Sequence, residues 1–174
     1  MTSAHPPIVV MGVQGSGKST LGRLLAERLG VTFIDSDTLH TPENVALMAS
    51  GTALTDDARL PWLHTVGRVL ADNQRQGIVV ACSALKRRYR DLLREEAPEV
   101  FVVDPEGTME LIADRIGARL HEYMPPVLLQ SQFNILEPLQ SDEFGIVLDI
   151  AQTPAALVDE VVAALSVIRA ERSR

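Results

Sequence analysis

The chain has 174 residues, 46% of them hydrophobic but only 4% aromatic, which suits one domain with a mainly aliphatic core. Its formal net charge of −7 argues against general affinity for nucleic acid or for an anionic membrane surface. The sequence has one cysteine, no apolar run near the roughly 20 residues that span a bilayer, and no signal-peptide pattern in "MTSAHPPIVVM", so we expect a reduced protein of the cytoplasm.

Strand and helix patterns alternate along the chain. The predicted strands are "IVVM" (8–11), "VTFID" (31–35), "IVVA" (78–81), "EVFVV" (99–103) and "GIVLDI" (145–150). Between and after them, helices are predicted at 21–29, 42–51, about 62–76, about 85–96, from 108 through 119, and from 154. Apolar strands that alternate with helices imply an α/β fold, with a parallel sheet covered on both faces.

The segment "GVQGSGKS", Gly12 to Ser19, matches the phosphate-loop pattern G-x-x-x-x-G-K-[ST] and lies between a strand and a helix, as that pattern requires. Glycines let successive N–H groups turn towards phosphate oxygens, and a helix N-terminus adds unpaired donors. Lys18 can reach the β and γ phosphates of ATP, and the Ser19 hydroxyl can bind Mg2+. The predicted nucleotide-binding residues are Gly12, Val13, Gln14, Gly15, Ser16, Gly17, Lys18, Ser19 and Thr20.

Asp35 and Asp37 close the second predicted strand. Ligands of parallel sheets gather at the carboxyl ends of the strands, and residues two apart point the same way if the strand geometry persists. One carboxylate can then hold Mg2+ while the other accepts a hydroxyl proton from an acceptor substrate. The alternative is a polar turn in which both aspartates cap backbone groups.

Arg59, in "DDARLPWL", is a candidate for binding a carboxylate, because a guanidinium donates two parallel hydrogen bonds. The alternative is a solvated arginine in the first turn of a helix, with Asp56 or Asp57 as its cap. His40 and His64 have no neighbours at metal-ligand spacing, so we expect no zinc site.

Five segments together resemble the gluconokinases of the shikimate-kinase-like group of small P-loop kinases. They are "MGVQGSGKST", "DSDTLH" with Pro42 and Asn44, "DDARLPWL", "ACSALKRRYRDLLR" and "LLQSQFNILEP", in family order. The phosphate loop specifies only nucleotide binding, whereas "PWL" and "CSALK" followed by "YRDLLR" are far more specific. The resemblance implies ATP-dependent phosphorylation of the 6-hydroxyl of D-gluconate, giving 6-phospho-D-gluconate, and usually a homodimer.

The resemblance also implies a fold and an organisation of the chain. The fold is a three-layer P-loop NTPase domain over residues 1–174, with five parallel strands in the order 2-3-1-4-5. Within it we expect a helical substrate-binding segment at about 40–76 and a helical lid at about 117–137.

Residue roles follow from the same resemblance. Asp35 joins Ser19 in holding Mg2+, Asp37 is the base or hydroxyl orienter, and Arg59 clamps the substrate carboxylate. The residues assigned to the gluconate side are Asp37, His40, Arg59, Ser83, Lys86 and Arg90. In "KRRYR", positions 86 and 90 share a helical face, so Arg87 and Arg88 are left to solvent.

The expected lid carries Arg115 and Arg119, one helical turn apart. With Lys18 and Asp37 they complete the predicted catalytic residues, because cations there neutralise charge on the transferring phosphoryl group. Relatives often have Gly-His-Phe after the second arginine and one further residue, whereas this chain has His121-Glu122-Tyr123 there.

Two other classes of function stay open. One is another small-molecule kinase of this group, acting on shikimate or a nucleoside monophosphate, against which "PWL" and "CSALK" weigh. The other is a nucleotide-dependent switch or a nucleic-acid-associated ATPase that uses the basic helix, against which the acidic net charge argues.

Overall fold

The computed structural model describes residues 5–118 and 126–174. Its strands are β1 (Ile8–Val10), β2 (Thr32–Asp35), β3 (Ile78–Ala81), β4 (Phe101–Glu106) and β5 (Gly145–Asp149). Its α-helices are α1 (Lys18–Leu29), α2 (Pro42–Ala49), α3 (Asp56–Asp72), α4 (Arg87–Glu96), α5 (Met109–Gly117), α6 (Pro126–Ile135) and α7 (Pro154–Arg172). A 3-10 turn, Ser36–Leu39, follows β2. Among these described helices, none has the length and apolar character that crossing a membrane requires.

The five strands form one parallel sheet in the order β2-β3-β1-β4-β5, which confirms the topology implied by the resemblance. The central strand β1 pairs with β3 on one side and with β4 on the other. Val10 lies opposite Ala81, which in turn lies opposite Asp35. The carboxyl ends of β2, β3 and β1 therefore lie side by side.

Apolar cores cover both faces of the sheet. Ile8 and Val10 of β1 pack on one side, with buried residues of α1 and α7, while Val9 packs on the other, with α3 and α4. This alternation is the two-residue period of a strand that is buried on both faces. It confirms the α/β class predicted from the strand and helix patterns.

Threonine side chains cap several helices. Thr41 and Thr153 accept hydrogen bonds from backbone N–H groups at the starts of α2 and α7, as the sequence predicts. At α3 the cap is Thr55, not either aspartate, so Asp56 is left for side-chain contacts. The helix predicted through Arg119 ends at Gly117 as α5, and Arg119 lies outside the described residues.

A buried ion pair fixes α4 to the loop before β5. Arg90 is 0% exposed, and its Nε and Nη2 lie 2.8 and 2.9 Å from the Glu143 carboxylate oxygens. Its Nη1 donates to the carbonyls of Ala84 and Leu85, at 3.0 and 3.3 Å. One guanidinium thus joins the helix, the turn in front of it and the loop.

Burial alone would raise the pKa of Glu143, but hydrogen bonds from Arg90, the Gln140 amide and Arg94 lower this pKa to about 2. Since its ordinary value is 4.5, the folded protein holds the charged carboxylate more strongly than the unfolded chain does. The stabilisation is present above about pH 4.5 and is lost as the pH falls towards 2.

Replacing Glu143 with glutamine should therefore lower the free energy of unfolding at pH 7 by about 3–5 kcal/mol, because Arg90 is left buried without a counter-charge. Urea unfolding would measure this loss. Asp142→Asn is the matched control: Asp142 is exposed in its pair with Arg87, so the loss should stay below about 1 kcal/mol. The difference in stability between wild type and Glu143→Gln should shrink progressively as the pH falls from 4.5 towards 2. Equal effects of the two substitutions at pH 7 would contradict a stabilising role of the buried pair.

Candidate active site

The phosphate loop joins β1 to α1 through backbone conformations that favour glycine. Gly12, Gly15 and Gly17 have φ angles of 133°, 82° and 89°. A Cβ on Gly15 would lie 2.5 Å from the Ile116 side chain, so α5 packs directly against the loop. No side chain caps α1, whose first residue is Lys18. The start of α1 thus has the backbone form of an anion-binding site.

Ser19 and Asp35 meet at the start of α1. The Ser19 hydroxyl donates to Asp35 Oδ2 at 3.0 Å, and Asp35 Oδ1 accepts from the Asp37 amide at 3.0 Å. Hydroxyl and carboxylate oxygens are ligands that suit Mg2+, which takes its remaining ligands from phosphates and water. Among the described residues no group of three or more His, Cys, Asp or Glu side chains could hold a metal ion alone, so this pair fits an ion that arrives with phosphate.

The two aspartates do not lie as strand neighbours. The chain enters the 3-10 turn directly after Asp35, so the strand geometry on which the parallel orientation depended stops there. Asp37 is exposed, and within the described residues its side chain makes no hydrogen bond or ion pair. Its carboxylate is therefore available to a bound hydroxyl group.

His40 lies close to Asp37 and Arg59. Its ring stacks on Trp62 with centroids 4.2 Å apart, and Trp62 Nε1 donates to the Ser36 carbonyl at 2.8 Å. Burial lowers the pKa of His40; Asp37 opposes this shift and Arg59 adds to it. A neutral imidazole thus lies near both the predicted base and the predicted carboxylate clamp.

Cys82 follows β3, at the place where many ATP-using proteins have a magnesium-binding aspartate. The thiol is buried, and burial raises its pKa to about 11. It is therefore neutral near pH 7 and is a poor metal ligand. The neighbouring Ser83 is half-buried, and its carbonyl accepts from the Gly12 amide at 3.1 Å, so the segment after β3 touches the phosphate loop.

A group that we call the cationic cluster consists of Asp56, Arg59, Lys86, Arg88 and Tyr89. Lys86 Nζ lies 3.1 and 3.2 Å from the two Asp56 oxygens, and Arg88 Nη1 lies 3.0 Å from one of them. The Tyr89 hydroxyl donates to Asp56 and accepts from Arg59 Nη1 at 3.2 Å. Hydrogen bonds from Tyr89 and Lys86 lower the pKa of Asp56. Three cations thus share one carboxylate, which leaves an excess of positive charge.

Within this cluster Arg59, like Arg88, has most of its hydrogen-bonding capacity unused. Its guanidinium lies over the Tyr89 ring, 5.7 Å from the centroid, and its nearest approach to Asp56 is 3.9 Å. A guanidinium has five N–H donors, and this contact with Tyr89 uses one. The sequence did not identify Tyr89 as a site residue, although it stands three positions after Lys86 in "KRRYR".

The structure corrects the expected positions of the other basic residues of this segment. Arg90 does not reach the cleft, because its side chain is buried against Glu143. Lys86 is extended and precedes α4, so it shares no helical face with Arg90. Arg87 is not left to solvent but pairs with Asp142, whereas Arg88 is 57% exposed even though it contacts Asp56.

Arg115 lies on α5, and its guanidinium donates to the carbonyl of Ile150, just after β5. The second predicted lid arginine, Arg119, and the variant stretch His121-Glu122-Tyr123 lie outside the described residues. The predicted pair of arginines is therefore described only in its first member.

A cavity of about 730 Å³ opens beside the phosphate loop. Its lining includes Val13, Thr108, Leu136 and Leu148, together with Asp104. Burial raises the pKa of Asp104 to about 6, against a hydrogen bond from the Leu139 amide that lowers it. The cavity extends the cleft from the phosphate loop along the ends of β4 and β5.

Comparisons with known proteins agree with this geometry. The sequence model of the family described as "Shikimate kinase" matches residues 14–166. A probable gluconokinase of Mus musculus is 40% identical over 177 residues, covering 91% of this chain and 96% of the relative. The thermosensitive gluconokinase of Escherichia coli (strain K12) is 39% identical, covering 97% and 92%. The crystal structure of a gluconokinase from Sinorhizobium meliloti 1021 superposes with a TM-score of 0.89 at 42% identity, covering 99% of this chain and 98% of that one.

Proposed function

Because the chain belongs to the shikimate kinase family and, within it, to the gluconokinases, we propose that it transfers the γ-phosphoryl group of ATP to the 6-hydroxyl of D-gluconate. The products are 6-phospho-D-gluconate and ADP. The reaction feeds gluconate into central carbohydrate metabolism. The observation that carries the proposal is the adjacency, at three neighbouring strand ends, of the phosphate loop, the Ser19–Asp35 pair and the cationic cluster.

On the nucleotide side, the loop formed by residues 12–20 binds the phosphates of ATP, with Lys18 on the β and γ groups. Ser19 and Asp35 would hold Mg2+, which supplies neutralising charge to the phosphates. Support comes from the 3.0 Å contact between these two side chains at the start of α1. Arg115 and Arg119 add positive charge where it develops on the transferring group.

On the acceptor side, Asp37 orients the 6-hydroxyl and accepts its proton, since its carboxylate is exposed and unpaired among the described residues. Arg59 clamps the gluconate carboxylate with its remaining donors, and Lys86 contributes charge from the same cluster. His40 and Ser83 line the acceptor pocket between Asp37 and the carboxylate clamp. We leave Arg90 out of the site because it is buried and fully engaged.

A homodimer in the cytoplasm, with no nucleic acid or membrane as partner, suits the family, the acidic charge and the single buried thiol. Light scattering coupled to gel filtration measures the assembly directly, since a monomeric mass would remove the homodimer from the proposal.

A coupled assay of ADP release tests the function itself. The acceptors are gluconate, shikimate, nucleoside monophosphates and oligonucleotides, each with ATP and Mg2+. We expect rapid turnover with gluconate and with none of the other acceptors. Lys18→Ala should abolish this turnover while leaving the unfolding transition in place. A preference for shikimate or a nucleotide would assign the chain to another kinase activity. ATP hydrolysis stimulated by oligonucleotides would assign it to another class of protein.

Substituting each aspartate with asparagine should separate the two proposed roles. Asp35→Asn should raise the Mg2+ concentration required for half-maximal rate. Asp37→Asn should lower kcat by about 100-fold or more, the range of general base catalysis, with little change in ATP binding. Asp72→Asn, at the exposed end of α3, is the control and should behave as wild type. A magnesium effect on Asp37 instead of Asp35 would show that the two roles are reversed.

Arg59→Lys should keep the positive charge but lose the planar fork that binds a carboxylate through two hydrogen bonds. The expected loss is about 1.5–3 kcal/mol, which corresponds to a roughly 10- to 150-fold higher KM for gluconate. The KM for ATP should change little, because the guanidinium is assigned to the acceptor alone. Arg68→Lys, at an exposed position on the same helix, is the matched control. Unchanged kinetics in Arg59→Lys would transfer the clamp to Lys86.

A further inference from the structure

The phosphate loop donates a hydrogen bond to a side chain of α6 that lies 118 residues later in the sequence. The backbone N–H of Gln14 donates to Oε1 of Gln132, on α6, at 2.7 Å. A backbone amide can only donate, so the carboxamide oxygen of Gln132 must face the loop. The Nε2 group then points away from Gln14, and within residues 5–118 and 126–174 it donates no hydrogen bond.

This contact lies within the loop that is expected to bind phosphate. Gln14 is the third residue of the phosphate loop, whose N–H groups are expected to surround phosphate oxygens. The contact anchors the Gln132 carboxamide at the loop and leaves two N–H donors unused beside it. Donors fixed in place before the reaction are the groups that stabilise charge on a transferring phosphoryl group most effectively.

The other end of the same segment contacts the acceptor side of the cleft. The Glu137 amide donates to the Leu85 carbonyl at 2.8 Å, and Glu137 Oε2 accepts from the Arg87 amide at 2.6 Å, at the start of α4. The segment from Gln132 to Glu137 therefore spans from the phosphate loop to the turn that carries Lys86. This arrangement gives "LLQSQFNILEP" a physical role, where the sequence had supplied only a resemblance.

Gln130 shows that the contact is specific to one face of α6. Its side chain is exposed and bonds to Asn134 on the same helix, at 2.8 Å. Two glutamines two residues apart thus differ in what they face: one the phosphate loop, the other solvent.

We propose that Gln132 is a further residue of the phosphoryl-transfer site. Its Oε1 stays anchored on the Gln14 amide, and its Nε2 donates to an oxygen of the γ-phosphoryl group of ATP. The role in transfer rests on the proposed kinase function, whereas the contact with the γ-phosphoryl group can be measured by nucleotide binding alone.

Gln132→Glu tests this directly, because a carboxylate keeps an oxygen for Gln14 but replaces the N–H donors with negative charge. Gln130→Glu, on the same helix, adds the same charge outside the contact and is the matched control. For each protein, calorimetry gives Kd for ATP and for ADP with Mg2+, and the coupled assay gives kcat with gluconate. Thermal unfolding checks that the two variants are equally folded.

The expected result for Gln132→Glu is ATP binding weakened about tenfold or more, ADP binding nearly unchanged, and kcat lowered roughly 100-fold, the loss typical of one donor to a developing charge. Gln130→Glu should match wild type. Equal weakening of ATP and ADP binding would reduce Gln132 to a support of the loop, and tighter ATP binding in Gln132→Leu would mean that phosphate displaces the side chain. Either outcome overturns the proposal, as does equal behaviour of the two glutamate variants. If wild type does not phosphorylate gluconate yet the difference between ATP and ADP holds, the proposed substrate fails and the Gln132 contact stands.

Discussion

The register of three parallel strands governs the whole cleft. β3 lies between β2 and β1, and Ala81 is level with both Asp35 and Val10. The segments that leave these strand ends are consequently brought together without any long connection across the surface. In α/β sheets the carboxyl edge is where ligands collect, and here it gathers an anion-binding loop, a carboxylate and a basic segment.

A buried ion pair also holds the basic segment in place. Arg90 and Glu143 form a buried pair that is costly to bring out of water, and the hydrogen bonds to Ala84 and Leu85 complete it. Ala84 itself has a φ of 40°, which is unusual for a residue with a side chain. The turn between β3 and α4 is therefore held in one conformation, and Lys86 leaves it in the direction of Asp56. An arginine expected to bind the substrate instead positions a neighbour that can.

How far the sequence predicts this molecule depends on whether the signal is local. The phosphate loop is eight consecutive residues whose pattern follows from backbone geometry, and the caps at Thr41 and Thr153 are equally local, so the sequence identified each of them. The strands and helices came from periodicity, apart from their ends. The strand order came from the family resemblance.

Contacts between residues that are far apart in the sequence could not be predicted from local patterns. Asp56 and Tyr89 are 33 residues apart, and nothing in either neighbourhood shows that α3 and α4 meet there. The prediction that Lys86 and Arg90 share a helical face was wrong because α4 begins after Lys86, not before it. Likewise, the parallel orientation of Asp35 and Asp37 depended on a strand that becomes a 3-10 turn.

The cationic cluster also has a consequence for the kinetics of encounter. The chain as a whole carries a formal charge of −7, yet Arg59, Lys86 and Arg88 stand around a single carboxylate. A local positive field inside an acidic surround acts over about a Debye length, roughly 8–10 Å at physiological salt. An anionic acceptor is accordingly attracted once it comes within that distance of the cluster, although the chain as a whole is acidic, and a higher ionic strength should slow its capture.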